Sequence, residues 1–273
     1  PIQIDSAKLR PNEYFEHILK QYNNFKKSPR EGDLIIETFK NKLCGCLFYQ
    51  EIASDQNYQK IGIIGLGKIG LTLACFLTLN HNQVYGYDKN LKLINKLKKG
   101  IPGFEEPKLS QILNKSVKND KLFFKEKLTK PTPSILIICI GPSLKKLHHQ
   151  NQEFTNLFNK LKNLINHNTH IILRSTVEVG TSSKIVNLLE KFTSMKCGED
   201  FFFSFCPERA IEGRIIDDLK EIPQLISGYS HNCTVKAKIF WEKHCDSTIS
   251  CPSLEFAELV KLTNNTYRDL IFS

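Results

Sequence analysis

The chain has 273 residues, of which 41% are hydrophobic and 24% charged, as expected for a globular protein of one large domain or slightly more. It contains no run of about 18 apolar residues, and residues 1–30 are polar, so we expect neither a membrane span nor a signal peptide. The net charge is +10, but the lysines are scattered and no nucleic-acid-reading motif accompanies them. We therefore expect no nucleic-acid partner and no membrane partner.

The nine cysteines do not form a recognisable metal or disulfide framework. Cys44 and Cys46 are too close for a common zinc pair, and no C-x-x-C or H-x-x-x-H pattern completes a site. Cys75 and Cys139 lie in apolar runs, which is typical of small core residues. The sequence predicts no metal site and reduced thiols, consistent with a cytoplasmic protein.

Residues 1–58 differ in pattern from the rest of the chain. Apolar residues recur at helical spacing in PNEYFEHILKQYNNFKK and again in DLIIETFKNKLCGCLFYQEIA, and the breaker SPREGD separates the two segments. We predict a helical N-terminal extension without chemistry of its own, which caps the following domain or contacts a partner.

From Lys60 onward, short apolar runs alternate with helical patterns. The predicted strands are IGIIG, QVYGYD, KLFFKE, SILIICI, HIILRST, FFFSFC and PQLISG. The predicted helices between them are KIGLTLACFLTLN, NLKLINKLKKG, EFTNLFNKLKNLINH and TSSKIVNLLEKFTS. Continuous apolar strands separated by helices indicate a mostly parallel sheet with both faces covered, which is the doubly wound α/β class.

Three glycines in the first of these units, Gly65, Gly67 and Gly70, have the spacing G-x-G-x-x-G. They follow a strand and open a helix at Lys68, and the next strand ends at Asp88, 18 residues after Gly70. This context predicts a Rossmann-type dinucleotide site, with the pyrophosphate at the helix N-terminus. A carboxylate at the ribose position repels a 2′-phosphate, so NAD is favoured over NADP. The alternative is a glycine turn that binds no ligand.

Four further stretches occur in order along the chain: ILRSTVEVGTS (172–182), FCPERAIEGR (205–214), EIPQLISG (221–228) and FAELVKLTNNTYRDLIFS (256–273). They resemble the UDP-sugar dehydrogenases, the nucleotide-sugar 6-dehydrogenases, through the patterns S-T-V-x-x-G-T, P-E-x-x-x-E-G and A-E-x-x-K-x-x-x-N. The segment PGFEEPKL is also similar to the E-P-G-L loop of that family, at Glu106 and Pro107. The resemblance covers residues 60 to 273.

The resemblance implies an enzyme that moves two hydrides to NAD⁺ in succession, oxidising a sugar C6 alcohol through the aldehyde to the acid, in nucleotide-sugar metabolism and polysaccharide biosynthesis. Lys261 matches the lysine that stabilises the developing alkoxide, and Asn265 lies one helical turn further on the same face. Thr176 matches the threonine that positions a catalytic water. Glu208 and Glu212 match two glutamates, of which one assists as a base or in hydrolysis and the other lies close to cofactor and substrate.

Together, the glycine motif and the resemblance predict the residues that contact the cofactor: Gly65, Gly67, Lys68, Ile69, Gly70, Asp88, Gly141, Ser175, Thr176 and Glu212. The P-E-R form at residues 207–209, followed by GRIIDDLKEIPQLISG, looks more like the UDP-N-acetylhexosamine branch than the UDP-glucose branch. We therefore expect a UDP-N-acetylhexosamine as the substrate. The predicted domains are a Rossmann domain over 59–252 and the start of a long central helix over 253–273.

The chain also departs from the family pattern. Gly141-Pro142-Ser143 stands where the family has G-T-P, and Leu93 stands where a basic residue is common. The G-x-C-x-x-K-D stretch that carries the family's nucleophilic cysteine is not present in these 273 residues. We therefore expect an N-terminal fragment without the nucleophile or the UDP-binding domain, which binds NAD but does not complete the reaction alone.

Three further points stay open at the level of sequence. The resemblance implies a homodimer that forms through the central helix in the full-length protein. The first alternative function is that of the β-hydroxyacid dehydrogenases, a related group that also combines a Rossmann domain with a Lys-x-x-x-Asn helix. The second is a non-catalytic NAD-binding module.

Overall fold

The structure is a computed structural model that describes residues 60–80, 82–140 and 150–272. The predicted helical extension at 1–58 lies outside the described residues, as does Gly141. The described part of the chain forms an eight-stranded sheet with helices on both faces. The predicted α/β class is confirmed.

The strands are β1 (Lys60–Ile64), β2 (Gln83–Tyr87), β3 (Leu122–Lys125), β4 (Ile135–Ile138), β5 (His170–Leu173), β6 (Phe202–Phe205), β7 (Gln224–Gly228) and β8 (Thr248–Ser250). Their order across the sheet is β3-β2-β1-β4-β5-β6-β7-β8. Neighbouring strands are parallel except β6 and β7, which pair antiparallel with Ser204 opposite Gly228. The first six strands therefore share one direction, and the order reverses beside β1, where the chain crosses from β3 to β4.

The helices are α1 (Lys68–Leu79), α2 (Leu91–Lys98), α3 (Leu109–Lys118), α4 (Gln150–Leu161), α5 (Thr181–Thr193), α6 (Ile215–Glu221), α7 (His231–Glu242) and α8 (Leu254–Phe272). A short 3₁₀ turn, Lys162–Leu164, follows α4. In the described part of the chain, none of the helices is both long and apolar enough to span a bilayer.

Two apolar clusters hold the layers together, one on each face of the sheet. On one face, α1, α2, α3, α6 and α7 pack around side chains such as Ile61 and Ile63. On the other face, α4, α5 and α8 pack around side chains such as Ile138 and Leu173. Strands β4, β5 and β6 are buried at every position, because both of their faces are covered by helices.

All seven predicted strands occur at their expected places, and the helix α8 begins at Leu254, in the segment where the start of a central helix is predicted. The structure also contains β8 and the helices α3, α6 and α7, which were not predicted from the sequence. Strand β8 has three residues, none of them buried, so it lacks the apolar run that marks the other strands. An apolar run also carries no information about direction, so the reversal at β7 could not be read from it.

The C-terminal ends of the first six strands meet at one edge of the sheet. The residues that directly follow β1, β2, β4, β5 and β6 are Gly65, Asp88, Cys139, Arg174 and Cys206. Backbone hydrogen bonds continue the ladder there, from Cys139 N to Ile64 O at 2.8 Å and from Arg174 N to Ile138 O at 2.9 Å. In open α/β sheets, ligands bind in the crevice outside this edge, where the strand order reverses.

Candidate active site

The glycine loop between β1 and α1 is shaped by two close approaches. Gly65 has a φ of +94°, and a Cβ there would lie 2.8 Å from Cys139 O. A Cβ on Gly70 would lie 1.8 Å from Gly65 O, so only glycine allows the first turn of α1 to pack this closely on the loop. These contacts fix the loop so that α1 begins directly above the end of β1.

The N-terminus of α1 fits a dinucleotide pyrophosphate. Gly67 is its N-cap, with no capping side chain, and the first turn of the helix carries no acidic residue. Gly67 is exposed, and a Cβ there would meet no heavy atom within 4 Å, so a ligand could approach the backbone. Uncapped N–H groups at the positive end of a helix dipole are an anion site.

Asp88 joins the second strand to the glycine loop. Its Oδ2 accepts a hydrogen bond from Leu66 N at 2.9 Å, and its Oδ1 accepts one from Asn90 N at 2.8 Å. Each carboxylate oxygen has a second lone pair, so Asp88 can also accept hydrogen bonds from ribose hydroxyls. The residues present therefore fit NAD, with Asp88 organising the loop that would hold it.

Glu212 is brought to the same helix end. Its carboxylate forms an ion pair with Lys68 Nζ, although the two residues are 144 positions apart, and both side chains are largely exposed. Two residues predicted to contact the cofactor therefore meet at the N-terminus of α1. Ile69 lies beside them as a partly buried residue that packs against the core.

The loop that carries Glu208 and Glu212 is anchored by Glu106, which was identified from the sequence only as part of the E-P-G-L-like loop. Glu106 is buried, and its carboxylate accepts hydrogen bonds from Gly213 N at 2.9 Å and Ile215 N at 2.8 Å. The second of these caps the N-terminus of α6. Glu106 thus holds the loop against the segment between α2 and α3.

Arg174 is the centre of a buried polar cluster below this loop. The residue is 2% exposed, and its guanidinium lies 4.6 Å from the centre of the Trp241 ring. It forms an ion pair with Glu208 through two nitrogens, and Nη1 donates to Cys206 O at 3.1 Å and to Gln224 Oε1 at 3.2 Å. These polar contacts join the end of β5 to the loop after β6 and to the start of β7.

Glu208 is fully engaged in this cluster. Its Oε2 accepts both bonds from Arg174, and its Oε1 accepts from Arg209 N and Ala210 N, each at 2.7 Å. Burial raises the pKa of Glu208, but the Arg174 charge and these hydrogen bonds lower it below 4.5 overall. A carboxylate with a low pKa and both oxygens bonded is a weak base, so the contacts favour an electrostatic role for Glu208.

Lys261 lies on α8 and is only 8% exposed. Burial lowers its pKa from 10.5 to about 8; Glu208 opposes this effect, and the positive charges of Arg268, Arg174 and Arg209 add to it. The ammonium therefore lies in an electrostatic environment set by the Arg174 and Glu208 cluster. A lysine in such surroundings can hold or release a proton near neutral pH.

Asn265 and Arg268 extend the same face of α8, at i+4 and i+7 from Lys261. Asn265 is half-buried, and Arg268 Nη2 donates to Arg209 O at 3.2 Å, which fastens the helix to the Glu208 loop. Ser175 Oγ lies 3.4 Å from Ile138 O at the sheet edge, and Thr176 beside it is half-buried.

Glu258 is a second anchor that sequence analysis did not identify, although it is the glutamate of the A-E-x-x-K pattern. It is completely buried, and its carboxylate accepts hydrogen bonds from Gly180 N at 2.6 Å and Ser182 N at 2.7 Å. These groups open α5, directly after the S-T-V turn that carries Thr176. Glu258 therefore fixes α8 relative to the residues predicted to handle water.

The structure brings the predicted site residues to one edge of the sheet, apart from Gly141, which lies outside the described residues. Sequence analysis did not assign a role to Arg174, Arg268 or Glu258, which the structure places among them. A signal for Arg174 was available, because it is a charged residue at the end of an apolar strand run. The predicted catalytic roles themselves stay predictions.

Several curated proteins are similar to this chain. UDP-N-acetyl-D-mannosamine dehydrogenase of Pyrococcus horikoshii is 28% identical over 212 residues, which cover 77% of this chain and 51% of the relative. The protein of the same name from Campylobacter jejuni is 30% identical over 225 residues, covering 78% of this chain and 54% of the relative. The chain thus spans about half the length of the curated relatives it matches.

Solved structures of UDP-N-acetylmannosamine dehydrogenases are also similar to this chain over about half of their length. The P. horikoshii UDP-N-acetylmannosamine dehydrogenase superposes with a TM-score of 0.73 at 28% identity, covering 77% of this chain and 50% of that one. The Staphylococcus aureus UDP-N-acetyl-mannosamine dehydrogenase superposes with a TM-score of 0.71 at 26% identity, covering 77% and 51%. Residues 59–244 match the UDP-glucose/GDP-mannose dehydrogenase family, NAD binding domain. The chain therefore belongs to the UDP-glucose/GDP-mannose dehydrogenase family, and these residues are its NAD-binding domain.

Proposed function

We propose that this chain supplies the NAD-binding half, and part of the active site, of a nucleotide-sugar 6-dehydrogenase that oxidises a sugar C6 alcohol to the carboxylate in two hydride transfers. The observation that carries the proposal is the position of Lys261. Its buried ammonium belongs to the same charged cluster as Arg174 and Glu208, at the sheet edge that also carries the glycine loop. A cation beside a dinucleotide site is suited to stabilise an alkoxide.

Each residue would contribute a separate part of the chemistry. NAD⁺, when bound, supplies the acceptor for the hydride that leaves C6. The Lys261 ammonium would stabilise the negative charge that develops on the C6 oxygen. With a pKa of about 8, a fraction of Lys261 is the neutral amine, and this form would instead take up the hydroxyl proton. Asn265 would orient the same oxygen, and Thr176 would hold the water that enters in the second oxidation. Glu208 would keep Lys261 protonated up to a higher pH, because a neighbouring negative charge favours the ammonium.

The proposed substrate is a UDP-N-acetylhexosamine. The relatives named above as UDP-N-acetyl-D-mannosamine dehydrogenases support this class. Arg209 of the P-E-R stretch is buried and donates to Pro223 O at 3.1 Å, so its side chain organises the Glu208 loop from within. The family match also favours this group over the β-hydroxyacid dehydrogenases.

The experiment uses the protein expressed from the complete coding sequence. NADH absorbance is followed with UDP-N-acetylmannosamine, UDP-N-acetylglucosamine and UDP-glucose as separate substrates. We expect two NADH per sugar, with a UDP-N-acetylhexosamine preferred over UDP-glucose. NAD binding without NADH formation from any of the sugars would contradict the proposal and favour a non-catalytic module.

The assembly and location predicted from the sequence remain proposals of the same kind. We propose a homodimer that forms through α8, which is supported by three exposed apolar side chains, Leu259, Leu270 and Ile271. Light scattering on the complete protein would test it, and a monomer at micromolar concentration would contradict it. A cytoplasmic location is supported by the seven cysteines of the described residues, all of which are free thiols.

A further inference from the structure

Two cysteines face each other at the edge of the sheet opposite the glycine loop. Cys197 precedes β6, and Cys233 lies in the first turn of α7, with their Sγ atoms 3.8 Å apart. Both are free thiols and both are buried. The pair has no part in the proposed dehydrogenase chemistry, which is placed at the C-terminal ends of the parallel strands.

The surroundings of Cys233 favour its thiolate. Ser230 Oγ lies 3.3 Å from the Cys233 sulfur, and Phe203 N donates to this sulfur at 3.5 Å. The sulfur also lies at the N-terminal end of α7, where the helix dipole stabilises negative charge. Hydrogen bonding from Cys197 and these groups lowers the pKa of the Cys233 thiol, whereas the same contact and burial raise the pKa of Cys197. By contrast, burial raises the pKa of Cys75, Cys139, Cys206 and Cys251 to about 12.

The turn that carries Cys197 is held against the start of α7. Asn232 Nδ2 donates to Gly198 O at 3.1 Å, and a Cβ on Gly198 would lie only 2.4 Å from Ser230 Oγ. Cys197 N donates to Glu190 Oε1 at 2.9 Å, which connects the turn to α5. The flanking residues Lys196 and Glu199 are exposed, so the turn lies at the surface although the sulfurs are covered.

We propose that Cys197 and Cys233 are an oxidation site at which a peroxide produces an intramolecular disulfide. The sulfurs must approach from 3.8 Å to about 2.0 Å, a movement of less than 2 Å that the surface turn can supply. Cys233 is the attacking sulfur, because its thiolate is stabilised. Cys197 is the resolving thiol, because its sulfur is the closest partner.

The reaction balances with hydrogen peroxide as the oxidant. The Cys233 thiolate attacks one peroxide oxygen, the O–O bond breaks, and Cys233 sulfenic acid and hydroxide form. The Cys197 sulfur then attacks the Cys233 sulfur, the S–O bond breaks and the S–S bond forms. The departing hydroxyl takes up a proton and leaves as water. In sum, two thiols lose two electrons and two protons, and one peroxide becomes two waters.

The disulfide would join the turn before β6 to the N-terminus of α7. A link between residues 197 and 233 restricts the unfolded chain, so the oxidised protein should unfold at a higher temperature. The glycine loop lies at the other edge of the sheet, so NAD affinity should change by less than about twofold. Oxidation at this site therefore alters stability and leaves the cofactor site unaffected.

The test is peptide mapping of the reduced, folded 273-residue chain after treatment with hydrogen peroxide at neutral pH. Remaining thiols are alkylated, and the protein is digested with trypsin without reduction. We expect the peptide of residues 197–209 linked to the peptide of residues 221–236. We also expect the Tm to rise by several degrees and to return to the starting value after treatment with dithiothreitol.

The first peptide also contains Cys206, so Cys206→Ala is the matched control. The linked peptides should form in Cys206→Ala and be absent from Cys197→Ala and Cys233→Ala. Sulfinic acid at Cys233 without a cross-link, no cross-link in the folded wild-type chain, or a link lost in Cys206→Ala would each overturn the proposal. If an alanine variant fails to fold, mapping of the wild-type chain and of Cys206→Ala still decides the question.

Discussion

The glycine loop and the Arg174 cluster lie at the same edge of the sheet but are built in opposite ways. The loop is an open backbone structure, in which Gly67 is exposed and the N-cap of α1 has no capping side chain. The cluster is closed and made of side chains, with Arg174 only 2% exposed and four of its contacts directed to Glu208, Cys206, Gln224 and Trp241. The loop is shaped to receive the negative charge of a ligand, whereas in the cluster the charge of Arg174 is already paired with Glu208.

This difference determines how mutations should act. A change at the exposed Lys68 beside the loop removes a charge that a bound nucleotide would use, so it should alter affinity more than stability. A change in the cluster leaves a buried charge without its partner, so it should alter stability first. Lys261 should show both kinds of effect, since its pKa depends on the cluster while its proposed role depends on the substrate.

The largest effect is expected for Arg174→Met. It leaves the Glu208 carboxylate buried without its cation, which typically costs about 3–5 kcal/mol of unfolding free energy. Urea unfolding of the 273-residue chain measures it. Lys184→Met, at an exposed position of α5, is the control and should change stability by less than about 0.5 kcal/mol.

The double variant Arg174→Met with Glu208→Gln sharpens this result. Because it removes the uncompensated charge, it should recover part of the stability lost in Arg174→Met. A double variant less stable than Arg174→Met would mean that the ion pair is not the source of the loss.

Lys261→Ala should reduce turnover by about 10²-fold or more in the complete protein, as loss of an oxyanion stabiliser typically does. Initial rates of NADH formation measure the effect, and NAD binding by calorimetry should remain close to that of the wild type. Lys184→Ala is the matched control on an exposed helix face. Near-normal turnover in Lys261→Ala would remove this lysine from the mechanism.

The titration of Lys261 gives a test that is independent of activity. Its folded pKa of about 8 lies below the ordinary 10.5, so the folded chain binds this proton more weakly than the unfolded chain does. This weaker binding lowers the free energy of unfolding. The decrease has its full size below about pH 8 and disappears as the pH rises towards 10.5. Lys261→Met should therefore raise the free energy of unfolding at pH 7, and its advantage should shrink by pH 10.

Competitive amine labelling with mass spectrometry can locate the same proton. The labelled fraction of Lys261 should rise with a midpoint of about pH 8. A midpoint near 10.5 would show that burial and the neighbouring arginines do not act on this ammonium as the structure indicates.

Asp88→Ala should weaken NAD binding by about 10- to 100-fold, the range expected for loss of hydrogen bonds to a charged group. NADP should bind the wild-type chain more weakly than NAD, and the variant should reduce this difference because the repulsion of the 2′-phosphate is removed. Calorimetry with both nucleotides measures the two affinities. Asp120→Ala, at a turn beyond α3, controls for the change in net charge. Equal affinity of the wild type for both nucleotides would contradict the role assigned to Asp88.

The smallest effect is expected for Lys68→Ala. The ion pair with Glu212 is largely exposed, and such pairs contribute little to stability. Thermal unfolding should change only slightly, and NAD affinity should fall by a few-fold through loss of one positive charge at the helix end. A large loss of stability would show that the loop depends on side chains as strongly as the cluster does.

The contrast between loop and cluster also explains what could be predicted from the sequence. The glycine loop could be predicted from local spacing, because Gly65, Gly67 and Gly70 lie within six residues of the chain. The turn and the close packing of α1 require glycine at Gly65 and Gly70. The cluster joins residues from β5, the Glu208 loop, β7, α7 and α8, and no local pattern records these contacts. Glu258 illustrates this limit, since its motif could be recognised but its capping of α5 depends on how α8 packs.

Glu258 also determines the mechanics of α8. Its two hydrogen bonds hold the helix near its start, and the 13 residues that follow extend for roughly 20 Å to the exposed Ile271. A tilt of about 5° around this pivot would displace the far end by roughly 2 Å but Lys261 by only a few tenths of an ångström. The helix would then act as a lever that pivots close to Lys261, the proposed catalytic lysine. A force on the outer end of α8 would therefore displace Lys261, which is proposed to hold the alkoxide, only slightly.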